Sequence, residues 1–482
     1  MPTQLTMNKN RIKYLLSLLV LFSISFMAKS QTSVWTLQQC IDEGLKRNIQ
    51  LNITRRTADI NMVNLNQAKY AQYPSLNGNA NQGFSFGRSL NPITYQYVNE
   101  NILTNAFSLT SSLVLFEGSQ LLNTIKQDKE LYNAGNMDIE TYKNTIIISV
   151  ANSYLQLLLD NELIKIGQSS IATDKKQIDI TNVMFTAGSV PELNLYQVQS
   201  QLAADQLTLT NSENQLALDK LTLEQLMDKP DSAGFDIDKP KLADPPTHID
   251  SVASSSLYEK SVENQPQVKS TELKLSGANY GIDIAKGAAY PRLLLNGSIN
   301  TNYSSSRNLT SYYYQAGEIG YLESNPSSLV VGPIAEEKNS TYPFLNQVGD
   351  NIGEGFTFAL TVPIFNNYII RANVQQAIIN RDVAQLNDKY TRQQFRQTIE
   401  QDYTSYFGAS KQYASAVEAL RTETEAYNTM RVKYKSGSSN ASDLILEQNK
   451  FVAAESQVAQ AKYSYIFKQK VLDFYLGKPI TL

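Results

Sequence analysis

Hydrophobic residues recur every seven positions along two long stretches of this chain. Val150, Leu157, Ile164, Ile171, Ile178 and Phe185 form one stripe; 249 residues later Ile399, Tyr406, Tyr413, Leu420, Tyr427 and Tyr434 form another. Against a hydrophobic background of 42 %, six hits at preassigned places arise by chance about once in 200 trials. Each stripe is followed by a second: Leu195, Leu202, Leu209, Leu216 and Leu223, then Leu444, Phe451, Val458, Tyr465 and Leu472. Strict sevens keep a helix against one neighbour by supercoiling. No proline interrupts 118–184 or 367–436, so each reads as one helix, about 100 Å long at 1.5 Å per residue. The returning helices, 194–228 and 443–476, are about half that length. Glycines mark the turns between them, in Phe185-x-x-Gly188 before Ser189 and Tyr434-x-x-Gly437 before Ser438. Asn194 and Asp443, six residues after each glycine, read as the N-caps of the returning helices.

Two shorter helical stretches, 37–73 and 257–290, end at Tyr73-Pro74 and Tyr290-Pro291, because a residue before proline is pushed out of the helical region. After each Tyr-Pro the period changes to two. In 76–86 Leu76, Gly78, Ala80, Phe84 and Phe86 alternate with Asn77, Asn79, Asn81, Gly83 and Ser85; in 107–115 Phe107, Leu109, Leu113 and Leu115 alternate with Ser108, Thr110 and Ser112. The stretches 293–303 and 355–365 repeat the pattern, with Leu293, Leu295, Ile299, Phe356, Phe358 and Leu360 on one face and asparagine, serine, threonine and glycine on the other. Strands of this length with one apolar and one polar face suit a transmembrane barrel, and a soluble hairpin with one wet face is the alternative. Four strands cannot close a barrel, and lipid satisfies no open edge. Membrane strands would therefore require several copies, and a trimer supplies twelve. The loops 87–106 and 304–354, the latter with Tyr312-Tyr313-Tyr314, would face outside.

The halves match beyond their periods. Ala68-Lys69-Tyr70-Ala71-Gln72-Tyr73-Pro74 recurs, 217 residues on, as Ala285-Lys286-Gly287-Ala288-Ala289-Tyr290-Pro291, and Asp228-Lys229-Pro230 recurs, 249 residues on, as Gly477-Lys478-Pro479. The chain therefore reads as a tandem duplication. Its first repeat is 31–230, a proline-bearing strap or linker occupies 231–256, and the second repeat is 257–482, with about 32 extra residues between 293 and 364.

Composition narrows the function classes. With 42 Lys+Arg against 45 Asp+Glu, the net charge of −3 argues against a nucleic-acid partner. Residues 1–30 read as a signal peptide: Lys9, Arg11 and Lys13, an apolar run from Leu15 to Phe26, then Ala28-Lys29-Ser30. No later run is long enough for a transmembrane helix. Cys40 stands alone, so no intramolecular disulfide forms, and it reads as a small buried helix residue. His248 is the one histidine, which leaves no His-based triad or metal cluster, and no phosphate-cradling loop occurs. No cofactor and no enzyme activity are expected. Tyrosine, at 28 residues, suits surfaces that are apolar at one end and wet at the other.

The order of these parts resembles the TolC family of outer-membrane efflux proteins. The carriers of the resemblance are the opening Trp35-Thr36-Leu37-Gln38-Gln39-Cys40-Ile41-Asp42-Glu43-Gly44-Leu45-Lys46-Arg47-Asn48, the two Tyr-Pro exits into strands, and the two glycine-marked hairpins. The resemblance implies a mainly α fold with membrane β: strand pairs and long coiled-coil hairpins that trimerise into a twelve-stranded barrel continuing into a periplasmic α-barrel. It implies a passive exit duct for efflux or type I secretion, set in outer-membrane lipid of a Gram-negative bacterium. It also implies a periplasmic adaptor docked at Gly188, Ser189, Gly437 and Ser438, and an inner-membrane transporter. Asp443 matches an aspartate that lines the family's periplasmic constriction. Glu447, one turn on, stands in for a second aspartate whose place here holds Leu446; Tyr434 and Asn194 complete the expected gate. Ser439 occupies a position where some members carry a gate-locking arginine. The competing reading is a structural coiled-coil envelope protein, a stalk or adhesin without channel activity, which leaves the period-two segments unexplained.

Overall fold

The computed structural model describes residues 33–90, 95–229, 235–248 and 254–481. The signal-peptide expectation for 1–30 lies outside the described residues. In chain order a short strand β1 (Ser33–Trp35) leads to α1 (Leu37–Arg47) and α2 (Ile49–Tyr70). Strands β2 (Ser75–Ser85), β3 (Arg88–Leu90), β4 (Tyr97–Asn99) and β5 (Ile102–Glu117) precede α3 (Gln120–Thr186) and α4 (Glu192–Leu226). After β6 (Phe235–Ile237), α5 (Ser254–Val262) and α6 (Pro266–Gly287) come β7 (Arg292–Ser304), β8 (Asn308–Leu322) and β9 (Asn325–Thr341). A short α7 (Phe344–Asp350), β10 (Gly353–Thr361), α8 (Ile369–Lys435) and α9 (Ala441–Tyr475) complete the chain. The two long helices have 67 residues each and the two returning helices 35 each. Two compact units share these elements: one gathers residues up to Ile60, Asn133–Leu273 and those from Gln385 on; the other gathers Asn61–Tyr132 and Lys274–Ala384.

The second unit is built on an antiparallel sheet of order β10-β7-β5-β2. Its registers bring apolar residues to one face: Phe84 opposite Leu103, Leu109 opposite both Gly78 and Ile299, and Leu295 opposite Leu113 and Phe358. The other face carries Asn79 opposite Ser108, Ser108 opposite Asn300, and Asn296 opposite Thr357. Both faces are largely open in the single chain; Phe356 is 78 % exposed. Strand β2 lies at one end of the sheet and β10 at the other, each paired on one side.

Each copy passes from strand to long helix through two successive left-handed residues, Gly118-Ser119 in one and Asn367-Tyr368 in the other. Glycine is required at the first. A Cβ on Gly118 would lie 2.3 Å from the Gly287 carbonyl oxygen and 2.8 Å from Tyr290 Cβ. Asparagine tolerates the left-handed region, which suits Asn367.

The first unit has its main core where α1, α2, α3, α4 and β6 meet, around Cys40, Leu51, Val150, Tyr154, Leu157, Leu223, Met227 and Phe235. Burial of each large side chain contributes about 1.5–3 kcal/mol. Burial also pushes the Cys40 thiol up to about 12, so it is an inert packing residue. Tyr154 Oη donates to the Asp238 carbonyl oxygen at 2.7 Å, fixing the chain after β6.

Four sequence expectations are corrected. The stretch 37–73 is two helices, because Asn48 ends α1 and its Oδ1 accepts from the Leu51 backbone N–H at 3.0 Å, starting α2. The stretch 257–290 is likewise divided: Pro266, which has no N–H, starts α6 at a first-turn position where none is needed. The strap 231–256, read as a linker, contains a strand, β6, which pairs in parallel with β1. The loop 304–354 contains the β8–β9 ribbon, closed at Glu323-Ser324 by pairing of Leu322 with Asn325. Residues 230–234 and 249–253 of the strap region lie outside the described residues.

Candidate functional site

The two hairpin turns are built alike. At the first, the Gly188 N–H donates to Phe185 O at 2.9 Å and the Ser189 N–H to Met184 O at 2.8 Å; at the second, Gly437 donates to Tyr434 O at 3.0 Å and Ser438 to Lys433 O at 2.9 Å. This paired closure needs a left-handed residue, and Gly188 and Gly437 have φ of +72° and +73°. Gly188, Ser189, Gly437 and Ser438 are all exposed.

The N-cap expectation fails at both returning helices. Pro191 precedes α4 as its cap, with no side-chain bond, and Asn440 caps α9 by accepting from the Asp443 N–H at 2.8 Å. Asn194 and Asp443 therefore sit three residues inside the helix. The reason is local: the chain leaves the glycine turn in an extended conformation for only a few residues, and the Pro191 and Asn440 backbones are already extended. Asp443 keeps a favourable place in the first turn, where a carboxylate meets the positive helix end, and it is exposed. Glu447 is different. Lys450 Nζ holds it at 2.8 Å, so it is a paired carboxylate.

Tyr434 is 0 % exposed and anchors a cluster with Val198, Tyr427, Ala441 and Leu444, drawn from α4, α8 and α9. Its hydroxyl lies 2.9 Å from Thr181 Oγ1 on α3. Gln448 Nε2 on α9 donates to Asp174 Oδ1 on α3 at 2.5 Å, and Gln201 on α4 exchanges two amide hydrogen bonds with Asn449 on α9. The two hairpins thus meet through a polar seam, buried at Asp174–Gln448 and Thr181–Tyr434 and exposed at Gln201–Asn449. On α3 its members are Ser170, Asp174, Gln177 and Thr181, spaced four, three and four residues apart. That spacing places them on one face, and it is the signal by which a hydrophobic reading passes them over. Burial raises the Tyr427 phenol, opposed by Arg431 and aided by Asp174. Ser439 Oγ is buried without a hydrogen-bond partner.

Among the described residues no group of three or more His, Cys, Asp or Glu side chains forms a metal site. No helix among them is long and apolar enough to cross a membrane. What the chain offers is paired helical hairpins with a polar seam and an amphipathic sheet open at both ends, the parts of a membrane conduit. The chain belongs to the outer membrane efflux protein family, whose model matches residues 40–228 and 257–478. It is 22 % identical over 477 residues to the outer membrane protein TolC of Salmonella enteritidis, covering 97 % of this chain and 87 % of that one. Its fold is similar to the crystal structure of the outer membrane protein VceC of Vibrio cholerae, with a TM-score of 0.73 at 13 % identity over 92 % of this chain and 97 % of that one. It is similar also to the CmeC outer membrane channel of Campylobacter jejuni, with a TM-score of 0.68 at 18 % identity over 92 % and 85 % of the two chains. The relatives are outer-membrane efflux channels, not enzymes, and this chain is an outer-membrane protein.

Proposed function

We propose that three copies of this chain join their sheets into a twelve-stranded outer-membrane barrel that continues as a periplasmic helical tunnel. The repeats, 31–230 and 257–482, would each contribute one strand pair and one hairpin. The observation that carries this reading is the open sheet. A four-stranded antiparallel sheet with an apolar face and two unpaired edges is unsatisfied in lipid until neighbouring copies supply the missing strands. Such a duct conducts passively; an inner-membrane transporter supplies the drive for efflux or type I secretion, and a periplasmic adaptor grips the exposed tips at Gly188, Ser189, Gly437 and Ser438.

In this reading the tip holds the gate. Asp443 is exposed on the first turn of α9, and three copies around the axis repel one another and attract cations. Glu447 adds less field, because Lys450 neutralises it. Tyr434 holds the second hairpin to the first through Thr181, while Asn194 takes the place of Asp443 on the first hairpin without charge. Purified protein in planar bilayers tests the proposal. Stable cation-preferring pores are expected, and Asp443→Ala is expected to weaken both cation preference and block by multivalent cations. No conductance, with the protein inserted, contradicts the channel; unchanged preference and block in the variant contradict the gate.

A further inference from the structure

The first hairpin carries two carboxyl pairs across its seam, each with its α3 member buried. Asp160 on α3 lies within hydrogen-bonding reach of Asp219 on α4, and Asp174 on α3 within reach of Asp205 on α4. The pairs share one antiparallel register: fourteen residues separate the two on α3, and fourteen separate the two on α4. Asp160 is 3 % exposed and Asp174 is 2 % exposed. Each has one oxygen accepting an amide N–H, from Gln156 at 3.0 Å and from Gln448 at 2.5 Å. The other oxygen of each, Oδ2, has no donor. Across the seam, Asp219 accepts from Gln215 at 3.0 Å, and Asp205 accepts from Ser170 at 2.5 Å and from Gln201 at 2.8 Å.

Two ionised carboxylates face each other here at a cost, because neither has a hydrogen to give and the α3 member of each pair is out of water. A single proton removes the repulsion and supplies the missing hydrogen bond. From the packed elements the groups facing Asp174 are Asp205 of α4, Gln448 of α9 and Tyr427 of α8, whose ring lies 6.0 Å from the Arg431 guanidinium. Asp160 faces Asp219 of α4 and Gln156 of its own helix. Among the described residues no ion pair involves any of the four aspartates. In the second copy the corresponding positions are Ala409, Lys468, Glu423 and Ala454, so the pairs belong to the first hairpin alone.

We infer that Asp160–Asp219 and Asp174–Asp205 are proton-sharing pairs that make the first hairpin's seam, and its hold on α9 through Gln448, depend on pH. Protonated, each pair is a closed hydrogen bond between α3 and α4. Deprotonated, it is two like charges, one of them buried, and the seam loosens. Burial, reinforced by Asp219, pushes Asp160 up to about 7. Burial and Asp205, opposed by Gln448, push Asp174 up to about 6. The native seam therefore binds these protons more tightly than the opened chain, whose aspartates titrate near the ordinary 3.8. The stabilisation is whole below that value, declines as pH rises, and is lost above about 7.

Two measurements on the full chain in detergent test this. Infrared spectroscopy should show the carbonyl stretch of a protonated carboxylic acid at about pH 5.5, fading by about pH 8, and absent from Asp160→Asn/Asp174→Asn. Hydrogen exchange, corrected for its intrinsic pH dependence, should show protection of 155–180 and 200–222 falling by about tenfold or more over the same range. In the asparagine variant the amide supplies the bridging hydrogen permanently, so protection should stay level; Asp205→Asn/Asp219→Asn makes the same change from the other helix. A wild-type spectrum with no protonated-acid band at the lower pH overturns the inference. So does a loss of protection that persists in both variants.

Discussion

At the scale of single residues, the proposed gate assigns Tyr434 to holding the tip and Asp443 to acting on ions. The Tyr434 hydroxyl meets Thr181 in a fully buried contact between α8 and α3. Tyr434→Phe keeps the ring in its cluster and removes that bond, so thermal stability should fall by no more than about 1 kcal/mol. Single-channel conductance in planar bilayers should rise as the second hairpin is released; unchanged conductance would reduce Tyr434 to packing. Asn440 and Asp443 form the complementary test, because the cap and the exposed charge are different residues. Asn440→Ala should cost about 1 kcal/mol of stability and leave ion selectivity alone. Asp443→Ala should cost only a few tenths through the helix dipole and lower cation selectivity. Stability and selectivity falling together in both variants would mean that the cap and the charge do not act separately.

At the scale of elements, the turns sort glycines by need. Gly118→Ala forces a Cβ against the Gly287 carbonyl in a left-handed conformation, and should cost more than about 2 kcal/mol in the unfolding of detergent-extracted protein. Gly437→Ala has the same backbone strain but open space around it, and should cost about 1 kcal/mol. Equal losses would show that the Gly118–Gly287 approach is not tight. The mainly helical character was legible because heptads persist through 118–184 and 367–436. The helix breaks were not: Asn48 and Pro266 act on single turns, inside stretches whose apolar pattern continues. The β8–β9 ribbon is hidden because its Tyr312-Tyr313-Tyr314 run obscures alternation, although tyrosines crowd β8 and the β-branched Val330, Val331 and Ile334 lie in β9. At the tip, glycine spacing located the turns but placed the caps three residues late. The seam of Asp174, Gln448, Thr181 and Tyr434 joins residues more than 250 positions apart, and no local pattern reports such partners.

At the scale of the whole molecule, the claim that everything else depends on is assembly. The sheet β10-β7-β5-β2 exposes Phe356, Phe358 and Leu360 on its outer strand β10 and Leu76 and Phe84 on its other outer strand β2. Among the described residues no further strand pairs with either of these edges. Membership of the outer membrane efflux protein family fixes the class of molecule; the strand count and the demands of lipid require several copies, and three is the number proposed. Native mass spectrometry of the detergent-extracted protein, with strand content followed by circular dichroism, tests that count most directly. The account predicts a stable particle of three chains that loses its strand signal when it dissociates. A stable monomer with its strand content intact would contradict it.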